Sequence, residues 1–329
     1  MPLLSSCAGL CLIAAATAPT PVLVPVDAAQ AEPHALGEIV VLGRRGSPHD
    51  HTLGVGAITE RMSPSSRSIE SDLLRAVGAT RLSDALELVS GISQQNNRGG
   101  VMDNFAIRGF LGTPDGGAEY YVDGFLANRG MAPPRDPATA ERIEVLKGPA
   151  GALFGDIDPA GRINIVSKTP RFTPDAVFTG TVGSFGLRRG ELDVTGPISE
   201  TLAGRLVLAG ETSNGWRDHV GLDRTAVAPS LTWRPNEDLR LTYVGELTVF
   251  STLFDRGMPA INGDALALPE SNYYGEPGDG RTRFRNARHQ ITGEYRINDG
   301  WSVNGGIAWR GGSLQCIKAC RWRALGSSA

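Results

Sequence analysis

The sequence predicts an α+β domain followed by antiparallel strands of the transmembrane β-barrel type, too few to close a barrel. Three observations carry this. Residues 141–170 read as strand, glycine-rich loop, strand. Residues 176–311 hold seven segments in which apolar and polar side chains alternate with a period of two. No run of about 18 apolar residues follows the N-terminal stretch, so a helical span is unavailable downstream, whereas a barrel strand escapes that test.

Composition agrees. The 329 residues carry 32 Lys+Arg against 35 Asp+Glu, a balance with no basic excess to draw a nucleic-acid backbone. Gly 42 and Pro 21 fit many strands and turns, and mean hydropathy is -0.13. The cysteines sit at the two ends, Cys7 and Cys11, Cys316 and Cys320, so no disulfide framework crosses the body.

Residues 3–31 are apolar or small, and Ala29-Gln-Ala31 before Glu32 fits a secretory signal cleavage site. No Lys or Arg precedes Arg44, which leaves a true start upstream or an atypical signal as alternatives. Glu38-Ile39-Val40-Val41-Leu42 follows, a β-prone string inside a linker that runs to about residue 68. Such a string can add itself as a strand to another sheet's edge, or serve as an ordinary first strand. His49-Asp-His51 in this linker reads as solvated rather than metal-binding.

Between Ile69 and Val89 the pattern turns helical, with Ser83 as an expected N-cap, Leu82, Leu86 and Val89 at helical spacing, and Gly91 as the stop. Loops at 96–100, 111–117 and 127–139 surround the strand Phe105 to Phe110. Ile143 and Val145, then Ile163 and Ile165, alternate with polar neighbours on either side of Gly148 to Gly161.

Beyond Pro170, strands are expected near Ala176 to Phe185, Leu187 to Gly196, Leu202 to Ser213, Ala226 to Arg234, Leu239 to Val249, Ala287 to Ile297 and Trp301 to Arg310. Trp216, Trp233, Trp301 and Trp309 fall near strand ends or on apolar faces, as an interfacial girdle would place them. A soluble β-sandwich would also alternate.

The order of motifs adds a family. Glu141-Arg-Ile-Glu-Val-Leu-Lys-Gly-Pro149, Leu153-Phe-Gly155 and Ile163-Asn-Ile-Val-Ser-Lys168 closely resemble the plug domain of TonB-dependent outer-membrane receptors. Leu82-Ser-Asp-Ala-Leu86, Phe105-Ala-Ile-Arg-Gly-Phe110 and Tyr120-Tyr-Val-Asp-Gly-Phe125 precede them in that family's order. The resemblance implies a signal (1–31), a TonB box and linker (32–68), an α+β plug (69–170), first strands of a 22-stranded barrel (171–313) and an atypical tail (314–329) in which a frameshift is one explanation. It also implies import of a ferric siderophore across a Gram-negative outer membrane, with TonB, the siderophore and outer-membrane lipid as partners and no cofactor. Haem, cobalamin or a nickel chelate are alternative cargoes, and a non-transporting fragment is an alternative state.

By the same resemblance, residues 38–42 are the TonB box, and Arg98 and Arg129 on outward plug loops meet an anionic ligand. Arg108 and Lys147 are expected to hold the plug to acidic groups of the barrel wall. The insertion from Asp255 to Gly278 looks like a loop of the siderophore branch, with Tyr273 and Tyr274 able to stack on a ligand or pack the loop. An enzyme is disfavoured: there is no Gly-x-Ser-x-Gly, no phosphate-loop lysine and no His-Glu-x-x-His.

Overall fold

The strand–loop–strand centre forms as its alternation predicts. In a computed structural model that describes residues 66–95, 99–111, 120–127, 134–148, 160–264, 266–298 and 300–315, β6 (Ala140–Lys147) lies antiparallel to β7 (Gly161–Ser167). Around them a five-stranded sheet runs β1-β6-β7-β4-β5, with β1 at Ser66–Glu70, β4 at Tyr120–Val122 and β5 at Phe125–Leu126. Only the β4–β7 pairing is parallel. Gly161 is required where it stands: its φ is +137°, and a Cβ there would lie 2.2 Å from the Leu146 carbonyl oxygen.

Two short helices, α1 (Ser71–Ala76) and α2 (Leu82–Leu86), cover this sheet, and β2 (Ile92–Gln94) pairs with β3 (Phe105–Ile107). Ile69, Leu74, Leu82, Leu86, Phe105, Ile107, Tyr120, Ile143, Val145 and Ile163 form one core, none above 2 % exposure. The expected cap moves. Ser83 lies inside α2, and it is the Asp84 carboxylate that accepts the N–H groups of Thr80 and Arg81, each at 2.9 Å. A carboxylate in the first turn also meets the positive end of the helix dipole, an advantage that a serine hydroxyl lacks.

The seven alternating segments form one sheet in sequence order: β8 (Asp175–Val182), β9 (Arg188–Pro197), β10 (Leu202–Ser213), β11 (Leu222–Trp233), β12 (Leu239–Thr252), β13 (Thr282–Asn298) and β14 (Trp301–Gln315). All neighbours are antiparallel, and the sheet is open, ending at β8 and β14. Connections 198–201, 234–238 and 299–300 leave one edge, and 183–187 with the longer 214–221 and 253–281 leave the other. Short turns on one side and longer loops on the opposite side are the asymmetry of outer-membrane barrels.

Several boundaries differ from expectation. β8 stops at Val182, because Phe185 takes a left-handed turn with φ 56°. β11 and β13 begin at Leu222 and Thr282 rather than Ala226 and Ala287. Asp223, Arg283 and Arg285 put polar groups on the otherwise apolar outward face there, which erased the alternation in the sequence. β14 reaches Gln315, so the regular strand enters the stretch read as a tail. Trp216 lies in the 214–221 loop beside Arg217, not in a girdle row.

Among the described residues no helix is long and apolar enough to cross a membrane. The signal segment, Glu38 to Leu42, His49, His51, Arg98, Arg129 and the cysteines lie outside the described residues.

Candidate functional site

In a strand every second side chain shares a face. On one face of the seven-stranded sheet several of those positions are charged and buried. Arg189 of β9, Glu211 of β10 and Arg224 of β11 occupy one row, since Glu211 pairs in register with both arginines. Glu246 of β12 and Arg288 of β13 form a second pair.

The plug completes these rows through a single bend. Asp136 accepts the Ala138 N–H at 2.9 Å, capping a 3₁₀ turn at Pro137–Thr139. Its carboxylate then takes two hydrogen bonds from Arg189, at 2.6 and 2.9 Å. Arg224 adds an ion pair at 3.0 Å without hydrogen-bond alignment. Both arginines also donate to Glu211, at 2.8 and 2.6 Å. Ala138 can come this close because the wall opposite is small, built of Val207, Ala209, Ala226 and Ala228.

The preceding residue carries the opposite charge to the opposite partner. Arg135 donates to Glu246 at 2.6 Å, and its backbone N–H is held by Asp103 at 3.0 Å. A third contact lies at Asp123, whose carboxylate accepts Gln290 at 2.5 Å and Arg288 at 3.2 Å, and Ser167 through both its N–H and its hydroxyl. At the junction of the two regions, Arg205 grips Asp193 with two bonds of 2.8 Å, donates to the Thr169 carbonyl at 3.0 Å and lies 3.3 Å from Glu141. Lys168 pairs with Asp193 at 2.8 Å.

Burial penalises each of these charges, so the pairs are not a large net source of stability, but losing one partner strands the other. Burial pushes the Asp136 carboxyl up, yet Arg224 and Arg189 outweigh it and hold it below the usual carboxylate value. For Asp103 burial wins, and its pKa rises to about 6. The network therefore fixes where the plug sits and arranges no nucleophile against a base.

At the long-loop edge a second contact is apolar. Val101 and Met102 of the plug pack with Leu222, Phe250 and Phe284, joined by Phe254 and Leu314. The Asp255 N–H donates to the Gly99 carbonyl at 3.2 Å, and Arg217 fixes the Asp255 carboxylate at 2.7 Å. A Cβ on Gly99 would lie 2.9 Å from the Phe254 ring.

The expected site residues fare differently. Lys147 donates to the Ser90 carbonyl and lies 3.3 Å from the Ser90 hydroxyl, a contact within the plug and not with the wall. The wall acids Glu211, Glu246 and Asp193 are engaged by arginines and by Lys168. Arg108 adopts φ 52°, donates its backbone N–H to the Gly91 carbonyl at 2.7 Å and lies beside Gly148. Tyr273 and Tyr274 donate to the carbonyls of Phe254 (3.1 Å) and Pro269 (2.8 Å), so both tie the 253–281 loop to itself. Sequence reasoning missed Arg135, Asp136, Asp123 and their wall partners. Charges at every second position of apolar strands were the available signal. Among the described residues no group of three or more His, Cys, Asp or Glu could hold a metal.

Known proteins are similar to this chain in sequence and fold. Residues 59–162 match the family model of the TonB-dependent receptor plug domain. The metal-pseudopaline receptor CntO of Pseudomonas aeruginosa is 33% identical over 248 residues, 75% of this chain and 34% of that protein. The catecholate siderophore receptor Fiu of Escherichia coli K12 is 30% identical over 261 residues, 73% of this chain and 33% of that protein. The crystal structure of Fiu superposes with a TM-score of 0.66 at 28% identity, covering 76% of this chain and 38% of that one. The ferric yersiniabactin receptor FyuA of Yersinia pestis shares the fold, with a TM-score of 0.68 at 19% identity over 78% of this chain and 42% of that one. The chain thus spans about a third of the length of the curated relatives it matches. It belongs to the TonB-dependent receptor family and carries that family's plug domain together with a run of its antiparallel strands.

Proposed function

We propose that the chain is the plug and part of the barrel of an outer-membrane receptor that imports a ferric siderophore, energised through TonB. The observation that carries this is the seating of a plug, by buried ion pairs, on the inward face of a sheet whose outward face is apolar and exposed. Phe178, Val182, Leu206, Leu231, Leu247, Ile291, Val303 and Ile307 all point outward, Val182 at 85% exposure. Relatives described as catecholate, ferrioxamine and metal-pseudopaline receptors support a chelated metal as cargo.

In this reading the plug lies in the barrel lumen, where the 22-stranded barrel of the family needs strands beyond the seven seen here. The ligand meets the long-loop side, with Arg98 and Arg129 answering its negative charge and Tyr273 and Tyr274 shaping the loop above. Its arrival frees Glu38 to Leu42 to pair with TonB, and force then shifts the plug. No substrate bond is broken, so the protein is not an enzyme and needs no resident cofactor. CntO, the metal-pseudopaline receptor, favours a second reading in which the cargo is another metal's chelate.

The test is tryptophan fluorescence of the purified chain titrated with a ferric catecholate, ferrioxamine, a nickel chelate, haem and cobalamin. Saturable quenching by a ferric chelate and by none of the others supports the proposal. Quenching by the nickel chelate alone favours the second reading, and quenching by none contradicts both.

A further inference from the structure

The outward face of β13 changes character along its length. From Ile297 through Tyr295, Gly293, Ile291, His289 and Ala287 every outward position lacks formal charge, and then come Arg285 and Arg283, both exposed. Ala287 to Ile297 rises about 33 Å along the strand, or about 25 Å across a bilayer at a tilt of about 40°. That is the height of an outer-membrane apolar band, so Arg285 falls where the band ends and Arg283 just beyond it. Both sit beside the 253–281 loop, on the long-loop edge.

Among the described residues these two charges are uncompensated. In register Arg283 faces Ser251 and Gln315, and Arg285 faces Val249 and Ser313. The outward acid one strand further, Asp223, is already bound by Arg281 at 2.8 Å and by the Thr212 hydroxyl at 2.8 Å. Neither Arg283 nor Arg285 has a hydrogen-bond or ion-pair partner among the described residues. An arginine on a lipid-facing strand costs little at the interface but several kcal/mol at the midplane, which is why such a pair is tolerable only at this height. The guanidinium fork matches a phosphate oxygen pair.

We propose that Arg283 and Arg285 form a docking site for the phosphate groups of outer-leaflet glycolipid, clamping the long-loop side of the sheet to the membrane surface. The idea rests on the barrel reading above and names the lipid chemistry that the outward face selects.

The full chain, in detergent micelles, is titrated with diphosphorylated lipid A and with its phosphate-free counterpart, and bound lipid is read by native mass spectrometry. Tighter binding of the phosphorylated form is expected, falling about fivefold for each arginine lost in R283S and R285S. R283K with R285K should keep most of the preference, and R188S, an outward arginine four strands away, should keep all of it. A preference that survives in the double serine variant, or that falls equally in R188S, overturns the site. Insertion into phosphatidylcholine vesicles, read by protease protection of β12 to β14, separates the two ideas. A chain that never inserts overturns the barrel reading and this site with it, whereas one that inserts without phosphate preference overturns this site alone.

Discussion

The two faces of the seven-stranded sheet carry opposite chemistries and opposite burial. Inward, Arg189, Arg205, Glu211, Arg224, Glu246 and Arg288 are each no more than 8 % exposed. Outward, Phe178, Trp301, Ile307 and Trp309 are each at least 60% exposed. In a water-soluble sheet the apolar face is the one that is covered. Here the covered face is ionic because a folded domain supplies matching charges, and the apolar face is the one left uncovered, which on the proposed reading faces lipid. Strand periodicity is common to both kinds of protein, and what covers each face tells them apart.

The largest effect tests the inward face. Asp136→Ala leaves Arg189 and Arg224 sharing Glu211 in a buried site, and should destabilise the chain by about 3–5 kcal/mol in denaturant unfolding. A loss below about 1 kcal/mol would mean that water already reaches those guanidiniums. The outward face is tested by Ile307→Arg, which should cost about 2–4 kcal/mol for folding into a bilayer if Ile307 lies near mid-band. The same variant should leave the Asp136 contacts intact, and any coupling between these two sites would break the separation of faces. Third, Arg135→Met strands Glu246 with only Arg288 at 3.7 Å, for an expected loss of about 2–3 kcal/mol. Pairing it with Glu246→Met should recover part of that loss, since an apolar pair replaces an ionic one.

The smallest effect is a pH dependence with two signs. The Asp103 pKa is raised to about 6 from 3.8, so the folded state holds its proton more tightly than the unfolded one. Stability from this group rises as pH falls from about 6 to about 4 and is at its lowest above 6. Asp103→Asn keeps an acceptor for the Arg135 N–H and should stabilise the chain at pH 7 by on the order of 1–2 kcal/mol, with the gain gone near pH 4. Asp136 has the opposite sign. Its pKa is lowered, so its contribution is present above the unfolded value and is lost as pH falls below about 4. A melting curve of the Asp103→Asn variant that is flat relative to the parent between pH 4 and 7 would contradict the buried placement of Asp103.

Much of this was legible before the structure. Seven strands could be counted because each apolar side chain on the outward face marks one step of the pleat, and β6 and β7 because branched residues flank a glycine-rich loop. The strand starts at Leu222 and Thr282 were not legible, because Asp223, Arg283 and Arg285 make both faces polar. Nor were the partners of the buried charges. Arg135 meets Glu246 across 111 residues and Asp123 meets Gln290 across 167, separations that no local pattern encodes. Lys147 was assigned a wall partner by resemblance, and its length lets it reach Ser90 in its own domain instead.

The most direct test of the division between faces uses neighbours in β14, Val303 outward and Asn304 inward, each replaced by a spin-labelled cysteine in the chain inserted into vesicles. The label at 303 should be relaxed by oxygen dissolved in lipid and the label at 304 by a water-soluble nickel chelate. Equal access of both labels to the nickel chelate would contradict that division, because the outward face would then be facing water.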